Sequence, residues 1–199
     1  MTVRLFLIRH GETDHNKRGL ALGRADVPLN AHGQNQVRKL ASATAREPLT
    51  TVYSSPLRRA LDTATAIADP RGLPVQVQES LVEMDIGEAE GLPYEEVRKR
   101  YPRIMTAGGC EDILPNAERL LDVQRRAWGF VEMMQGNHSG EDVAVVSHNM
   151  VILSLLTKVL SIDFGEFRRL RQSTASLSVI EVTENRAVVV RLNDTCHLA

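Results

Sequence analysis

An apolar run that ends abruptly in polar residues near the N-terminus constrains the fold most strongly. Residues 5–8 are all apolar and typical of a buried β-strand, and Arg9, His10 and Gly11 follow them directly. Open α/β sheets place their ligands at the carboxyl ends of parallel strands. Arginine binds phosphate or carboxylate, a neutral imidazole can act as a nucleophile, and glycine lets the backbone approach a ligand closely. The run therefore predicts an anion site where the first strand ends.

Strand and helix patterns alternate along the rest of the chain. Strands are predicted over residues 3–8, 51–54, 75–77 and 143–146, and helices over 31–46, 56–68, 94–101, 117–135 and 149–160. Asn30 and Ser55 are the expected N-caps of the first two helices. This alternation predicts an α/β fold, a three-layer α/β/α sandwich with a mostly parallel central sheet. The segments 175–183 and 186–192 predict one antiparallel edge hairpin. We expect residues 1–199 to form a single domain, because this length can bury a full core.

Composition narrows the range of partners. The formal net charge is −1, which argues against a general nucleic-acid binder, because such proteins need a basic excess. No signal peptide is evident, and the longest apolar stretch, 150–156, is too short to span a bilayer. Cys110 and Cys196 lie far apart without a C-x-x-C pair, which disfavours a disulfide framework and a structural zinc site. We expect a cytoplasmic protein with no membrane partner and no nucleic-acid partner.

Two further strand ends carry residues of the same kind. Arg58 lies in the first turn of the helix after strand 51–54, where free N–H groups and the helix dipole favour an anion. Its neighbour Arg59 is expected to point in another direction, either into solvent or toward residues that themselves contact the ligand. His148 follows strand 143–146 and precedes a helix, which repeats the setting of His10. One histidine at a strand end is more often structural, but two histidines with two arginines favour a functional site.

These motifs resemble those of the histidine phosphatase superfamily, which includes the cofactor-dependent phosphoglycerate mutases. The matching strings are LIRHGETDHN at 7–16, YSSPLRRA at 53–60 and VSH at 146–148. Residues 81–91 also fit the family pattern L-x-E-x-x-x-G-x-x-E-G. The resemblance covers nearly the whole chain, and it implies a phosphoglycerate mutase-like sandwich.

The resemblance implies a role for each phosphate-binding residue. His10 would attack the phosphorus of a phosphomonoester and become phosphohistidine. Arg9, Arg58 and His148 would bind the equatorial oxygens and stabilise the transition state. Asn16 would add a neutral donor to a phosphate oxygen. We expect no metal and no cofactor, because the cationic side chains can supply the positive charge.

The acidic stretch at 81–91 holds four carboxylates, and chemistry alone does not select one of them. The resemblance selects Glu83 as the general acid and base, which protonates the leaving alkoxide and then deprotonates the attacking water. Asp85, Glu88 and Glu90 are then expected to be solvated or to support the site from outside.

Two positions depart from the family pattern. Asn149 stands where the family usually has glycine, and asparagine adopts unusual backbone angles better than most residues. We expect Asn149 to contact the substrate. Residues 115–119, with Asn116, Ala117 and Arg119, replace a P-G-G-E-S segment. Glu118 is retained there, and we expect it to orient a site residue.

The residues favour a metal-independent phosphatase that hydrolyses a small phosphomonoester. The alternative is a cofactor-dependent phosphoglycerate mutase, in which the other hydroxyl of the substrate accepts the phosphoryl group instead of water. Mutases usually carry a longer segment before the second histidine, but Lys99, Arg100 and Arg103 could hold a substrate carboxylate and keep that alternative open. A non-catalytic phospho-ligand module would be expected to lack one of the chemical residues, and all are present.

The segment at about 84–115 is expected to cap the site and to set its specificity, above all between residues 102 and 115. The partner is expected to be a small phosphorylated metabolite. Chain length and the C-terminal half also resemble α-ribazole phosphatases, while sugar phosphates and phosphoglycerates remain candidates. A homodimer is left open.

Overall fold

A six-stranded sheet forms the centre of the computed structural model, which describes residues 2–105 and 114–199. The strands are β1 (Val3–Arg9), β2 (Leu49–Ser54), β3 (Val75–Val77), β4 (Asp142–Ser147), β5 (Leu177–Val182) and β6 (Ala187–Asp194). The α-helices of the described residues are α1 (Asp14–Arg18), α2 (Ala31–Thr44), α3 (Arg58–Ala68), α4 (Tyr94–Arg100), α5 (Leu120–Asn137) and α6 (Asn149–Val159). In the sheet the strands follow the order β3-β2-β4-β1-β5-β6.

The sheet is parallel from β3 to β1, and the hairpin of β5 and β6 pairs antiparallel with β1. This confirms the predicted α/β sandwich with one antiparallel edge hairpin. Side chains alternate along β1, so Leu5 and Leu7 pack in the cluster that includes α5 and α6. Phe6 and Ile8 pack on the opposite face in the cluster that includes α2 and α3. Because both faces are covered, β1 and β4 have nearly continuous apolar sequences.

The parallel strands bring the site residues to one edge of the sheet. Arg9 at the end of β1 lies in register with Ser147 at the end of β4. His10 and His148 are the next residues of the two strands, so they emerge side by side. Ser55 follows β2, the other neighbour of β4, and reaches the same edge.

Helix α3 begins later than predicted. Its first residue is Arg58 and its N-cap is Leu57, which makes no side-chain capping bond. The predicted cap, Ser55, lies before the helix, and its hydroxyl is 2.7 Å from Nε2 of His148. The hydroxyl therefore contacts a residue of the candidate site. The prediction for Asn30 is confirmed, since its side chain caps α2.

Gly11 is required by close packing of the loop after β1. A Cβ atom there would lie 2.8 Å from the carbonyl oxygen of Gly33 and 2.8 Å from Cγ2 of Val37, both in α2. The N–H of Gly11 donates to Oγ1 of Thr63 in α3 at 3.2 Å. The loop is thus held between two helices, and this fixes the position of His10.

Neither a membrane span nor a metal cluster is found in the described part of the chain. No helix within residues 2–105 and 114–199 is long and apolar enough to cross a membrane. Within the same ranges, no group of three or more histidine, cysteine, aspartate or glutamate side chains could hold a metal ion. Cys196 is an exposed free thiol, and Cys110 lies outside the described residues.

Candidate active site

A cavity of about 290 Å³ lies beside the carboxyl ends of β1 and β4, with His10 in its wall. Of the predicted site residues, Arg9, Asn16, Glu83 and Asn149 line it as well. The rest of the wall is mainly apolar. The segment between residues 84 and 114 contributes the apolar or aromatic side chains of Met84, Ile86, Ala89, Tyr94, Val97 and Leu114. Three arginines also line the cavity: Arg98, Arg119 and Arg168.

The two ring nitrogens of His10 have different neighbours, and these fix its tautomer. Nδ1 lies 2.7 Å from the carbonyl oxygen of Gly11, which can only accept, so Nδ1 carries the proton. Nε2 receives a hydrogen bond from Nε of Arg59 at 3.2 Å, and a guanidinium can only donate. The lone pair of the neutral ring is therefore on Nε2.

The environment keeps the His10 ring neutral. Burial lowers its pKa well below the usual value of 6.5, and the positive charges of Arg59 and Arg9 lower it further. The hydrogen bond to Gly11 opposes this shift but is the smallest of these effects. A neutral imidazole, with one unprotonated ring nitrogen, is the form that can attack an electrophile.

Arg59, rather than Arg58, lies beside His10. Its side chain is fully buried, and Nη1 and Nη2 donate to the carbonyl oxygens of Ala25 at 2.8 Å and Gly23 at 2.7 Å. Burial lowers the pKa of Arg59 to about 10, although Glu83 and two other carboxylates oppose the shift, so the group is still cationic at neutral pH.

The prediction for Arg58 is wrong because that side chain points to the other face of α3. It is 64% exposed, and Nε lies 3.8 Å from Oδ2 of Asp62, one turn along the helix. The sequence held a signal for this difference. Arg58 and Asp62 form an i,i+4 pair of the kind found on solvent-facing helix surfaces, whereas Arg59 aligns with Thr63 and Ile67 on the buried face.

His148 lies beside His10, with 5.1 Å between the ring centroids. The hydroxyl of Ser55 accepts from the N–H of Leu57 at 3.3 Å, so its own proton can be donated to Nε2 of His148. The neutral ring then carries its proton on Nδ1, which is buried without a hydrogen-bond partner. Burial lowers the pKa of His148 well below 6.5, and Arg59 and His10 add to the shift. An oxyanion next to His10 would satisfy this donor.

Arg9 contributes a second unsatisfied donor. Its Nη1 donates to the backbone carbonyl of Gln172, while its Nε is buried without a partner. Among the described residues, three buried side-chain nitrogen or oxygen atoms lack a partner, and two of them are Nε of Arg9 and Nδ1 of His148. The third belongs to Arg4 at the opposite end of β1. Buried donors are rarely left unsatisfied, so this pair indicates an anion site.

Glu83 is a buried carboxyl group held by the backbone. Oε1 accepts from the N–H of Met84 at 2.8 Å, and Oε2 accepts from the N–H of Met150 at 3.2 Å. Its side chain is 4% exposed. Burial raises the pKa of Glu83, and this outweighs the lowering by the two N–H groups and by the nearby charges of Arg59 and Arg9. A raised pKa favours the protonated form, which a general acid needs.

Asn16 and Asn149 contribute polar groups to the cavity wall. Oδ1 of Asn16 accepts from N and Oγ1 of Thr13 at 3.1 and 3.0 Å in a capping box, so its amide nitrogen remains as a donor. Asn149 begins α6 and its φ is not positive, so this position does not use the unusual backbone angles that asparagine tolerates. The positive φ that a glycine would favour occurs instead at Asn116, at 56°.

Glu118 supports the segment that carries Glu83. Its carboxylate accepts from Nη2 of Arg24 at 3.2 Å and from Nε of Arg126 at 2.8 Å. Its N–H donates to the carbonyl oxygen of Asp85 at 2.8 Å. Arg24 also donates from Nε to the carbonyl oxygen of Glu83 at 3.3 Å. These contacts agree with the expectation that Glu118 orients a site residue.

In this sandwich a neutral histidine, two arginines and a buried carboxyl group lie together where the parallel strands end. This combination is typical of phosphoryl transfer through a histidine nucleophile. The chain matches the family model of the histidine phosphatase superfamily (branch 1) over residues 5–195. It therefore belongs to this superfamily, as the sequence motifs predict. It is a phosphomonoester hydrolase of the histidine phosphatase type.

Relatives are similar to this chain over nearly its whole length. Phosphoserine phosphatase 1 of Hydrogenobacter thermophilus is 35% identical, over 98% of this chain and 94% of its own. The probable phosphoglycerate mutase GpmB of Yersinia enterocolitica is 30% identical, over 98% and 95%. The solved structure of YhfR from Bacillus stearothermophilus has a TM-score of 0.92 at 28% identity, over 99% of this chain and 100% of that one.

Proposed function

We propose that the protein hydrolyses a small phosphomonoester in two steps, through a phosphohistidine on Nε2 of His10. The observation that carries this proposal is the neutral ring of His10 in the cavity wall. Its Nε2 lone pair faces the guanidinium of Arg59 at 3.2 Å. An unprotonated ring nitrogen beside fixed positive charge can attack phosphorus, because the same charge neutralises the phosphate oxygens.

In the first step Nε2 of His10 attacks phosphorus, and the bond to the ester oxygen breaks on the opposite side. Arg9, Arg59 and Nδ1–H of His148 stabilise the charge on the phosphoryl oxygens. Protonated Glu83 gives its proton to the leaving alkoxide. The phosphorylated ring becomes cationic, and its Nδ1–H continues to donate to the carbonyl of Gly11.

In the second step water attacks the phosphohistidine. Glu83, now ionised, takes the proton of this water, and the nitrogen–phosphorus bond breaks. Inorganic phosphate leaves, the lone pair returns to Nε2 of His10, and Glu83 is protonated again. The cycle consumes one water and returns every side chain to its starting state.

A Glu83→Gln variant is expected to depend on the leaving group. Hydrolysis of an alkyl phosphate should fall by about 10²–10⁴-fold, because glutamine cannot donate a proton. Phosphoenzyme formation from p-nitrophenyl phosphate should fall far less, because p-nitrophenolate leaves without protonation. Burst kinetics with both substrates measure this first step. Equal losses would show that Glu83 does not protonate the leaving group.

The substrate is proposed to be a small phosphorylated metabolite, with residues of about 84–115 as the cap over the site of a single domain 1–199. Residues 106–113 of this segment lie outside the described residues. Support comes from the apolar and aromatic side chains that residues 84–97 and Leu114 contribute to the cavity wall. Phosphoserine is a candidate because a relative at 35% identity is named for it. A screen should compare phosphoserine, α-ribazole phosphate, sugar phosphates and 3-phosphoglycerate, the last with and without bisphosphoglycerate. Phosphate release favours hydrolysis, and formation of 2-phosphoglycerate would favour the mutase.

Chelation is expected to leave the reaction unchanged. Arg9, Arg59 and His148 supply the stabilising charge and donors in the proposed steps, so no bound ion is needed. Dialysis against EDTA, followed by assay of p-nitrophenyl phosphate hydrolysis in chelator, should retain the full rate. A loss that added Mg²⁺ or Zn²⁺ restores would contradict metal independence. The cytoplasmic location and the homodimer stay predictions.

A further inference from the structure

Glu90 has no role in the proposed steps, but a series of hydrogen bonds connects its carboxylate to His10. Oε1 accepts a hydrogen bond from the N–H of Gly23 at 2.9 Å. Oε2 accepts from the N–H of Arg24 at 2.8 Å and from the N–H of Ala25 at 3.2 Å. One half-buried carboxylate therefore binds three consecutive peptide N–H groups of a single loop, residues 23–25.

The carbonyl groups of the same loop bind the site arginine. Nη2 and Nη1 of Arg59 donate to the carbonyl oxygens of Gly23 and Ala25, at 2.7 and 2.8 Å. These two bonds fix the guanidinium, and its Nε then donates to Nε2 of His10 at 3.2 Å. The N–H groups face the carboxylate and the carbonyls face the cation, so hydrogen bonds on the two sides polarise and strengthen one another.

The loop is closely packed at Gly23. A Cβ atom on Gly23 would lie 2.8 Å from the carbonyl oxygen of Met84 and 2.9 Å from Oε2 of Glu90. Nearby, the N–H of Ala21 donates to the carbonyl oxygen of Leu92 at 2.8 Å. The segment with Glu90 and the loop of residues 23–25 thus form one hydrogen-bonded unit.

We propose that Glu90 is a positioning residue for phosphoryl transfer, which fixes the loop of residues 23–25 and through it holds Arg59 against Nε2 of His10. The inference rests on the proposed function, because Arg59 matters for rate only if His10 takes up the phosphoryl group. The charge of Glu90 also raises the pKa of Arg59 and so opposes the lowering by burial.

The test begins with a Glu90→Gln variant. The amide keeps the shape of the side chain but replaces one acceptor oxygen with a donor, so at least one loop N–H loses its partner. The rate of phosphoenzyme formation from p-nitrophenyl phosphate should fall by about 10–100-fold through misplacement of Arg59, with little change in KM. Glu88→Gln is the matched control, because the exposed Glu88 carboxylate accepts hydrogen bonds from Tyr101 and Asn116, away from the loop of residues 23–25, and the variant should stay near the parent rate.

A double-mutant cycle separates positioning of Arg59 from a general loss of structure. In an Arg59→Ala background, Glu90→Gln should cause less than a 2-fold further loss, since nothing remains for the loop to position. Rates are normalised to the burst amplitude, which counts only folded, active molecules. The same 10–100-fold loss in both backgrounds would overturn the inference, as would a Glu90→Gln rate equal to that of Glu88→Gln.

The two proposals fail in different ways. If the parent protein forms no phosphoenzyme, the proposed function fails. If the phosphoenzyme forms on His10 but Glu90→Gln leaves its rate unchanged, only the role of Glu90 is wrong.

Discussion

A His10→Ala variant is expected to lose at least about 10⁴-fold in kcat/KM toward p-nitrophenyl phosphate. Alanine removes Nε2, the atom proposed to accept the phosphoryl group, while Arg59 and His148 can still bind phosphate. Inhibition by inorganic phosphate should therefore persist in the variant. Steady-state hydrolysis and phosphate inhibition, measured on the same preparation, distinguish lost chemistry from lost binding.

His15→Ala is the matched control for this experiment. His15 lies in α1, close to His10 in sequence, but it is not in the cavity wall. Its substitution should change kcat/KM by less than about 2-fold, as for a surface change away from the chemistry. A His10→Ala variant with near-parental turnover would exclude His10 as the nucleophile.

The second large effect is expected from Arg59→Ala, with Arg58→Ala as its neighbour on the same helix. Arg59→Ala should lower kcat by about 10²–10³-fold, because it removes a buried cation 3.2 Å from the attacking nitrogen. Arg58→Ala should change kcat by less than about 2-fold, since that exposed side chain pairs with Asp62 on the surface of α3. Steady-state kinetics on both variants test the assignment directly.

The reverse result would restore the interpretation that the sequence motif suggested. If Arg58→Ala caused the large loss and Arg59→Ala the small one, the geometry around α3 would be wrong. Arg59→Lys adds a further check, because lysine keeps the charge but cannot bind two carbonyls and His10 at once. It should recover only part of the rate lost in Arg59→Ala.

The position of the site at the carboxyl ends of the strands could be predicted, because the sequence pattern for it is local. Apolar runs that end in His10 and His148 fix both the parallel strands and the place where their polar neighbours meet. Which of the two adjacent arginines, Arg58 or Arg59, lies beside His10 depends on more than the local motif. Consecutive residues of a helix lie about 100° apart, so Arg58 and Arg59 face different directions, and the packing of α3 decides which of them lies beside His10.

Other features depend on contacts that no linear pattern reveals. The tautomer of His10 follows from Gly11 on one side and Arg59 on the other, and these meet only after folding. The sequence predicts Glu90 only as a solvated carboxylate or one that supports the site from outside, and its three bonds are to a loop that lies 65–67 residues earlier in the chain. Long-range hydrogen bonds of this kind are set by tertiary packing.

The most direct test of the account is to locate the phosphoryl group itself. The parent protein is mixed with a ³²P-labelled phosphomonoester, quenched in base, and mapped by mass spectrometry, with ³¹P NMR to distinguish the ring nitrogens. We expect an acid-labile, base-stable phosphoryl group on Nε2 of His10, absent from His10→Ala. A phosphoryl group on Nδ1, on another residue, or still trapped in His10→Ala would contradict it.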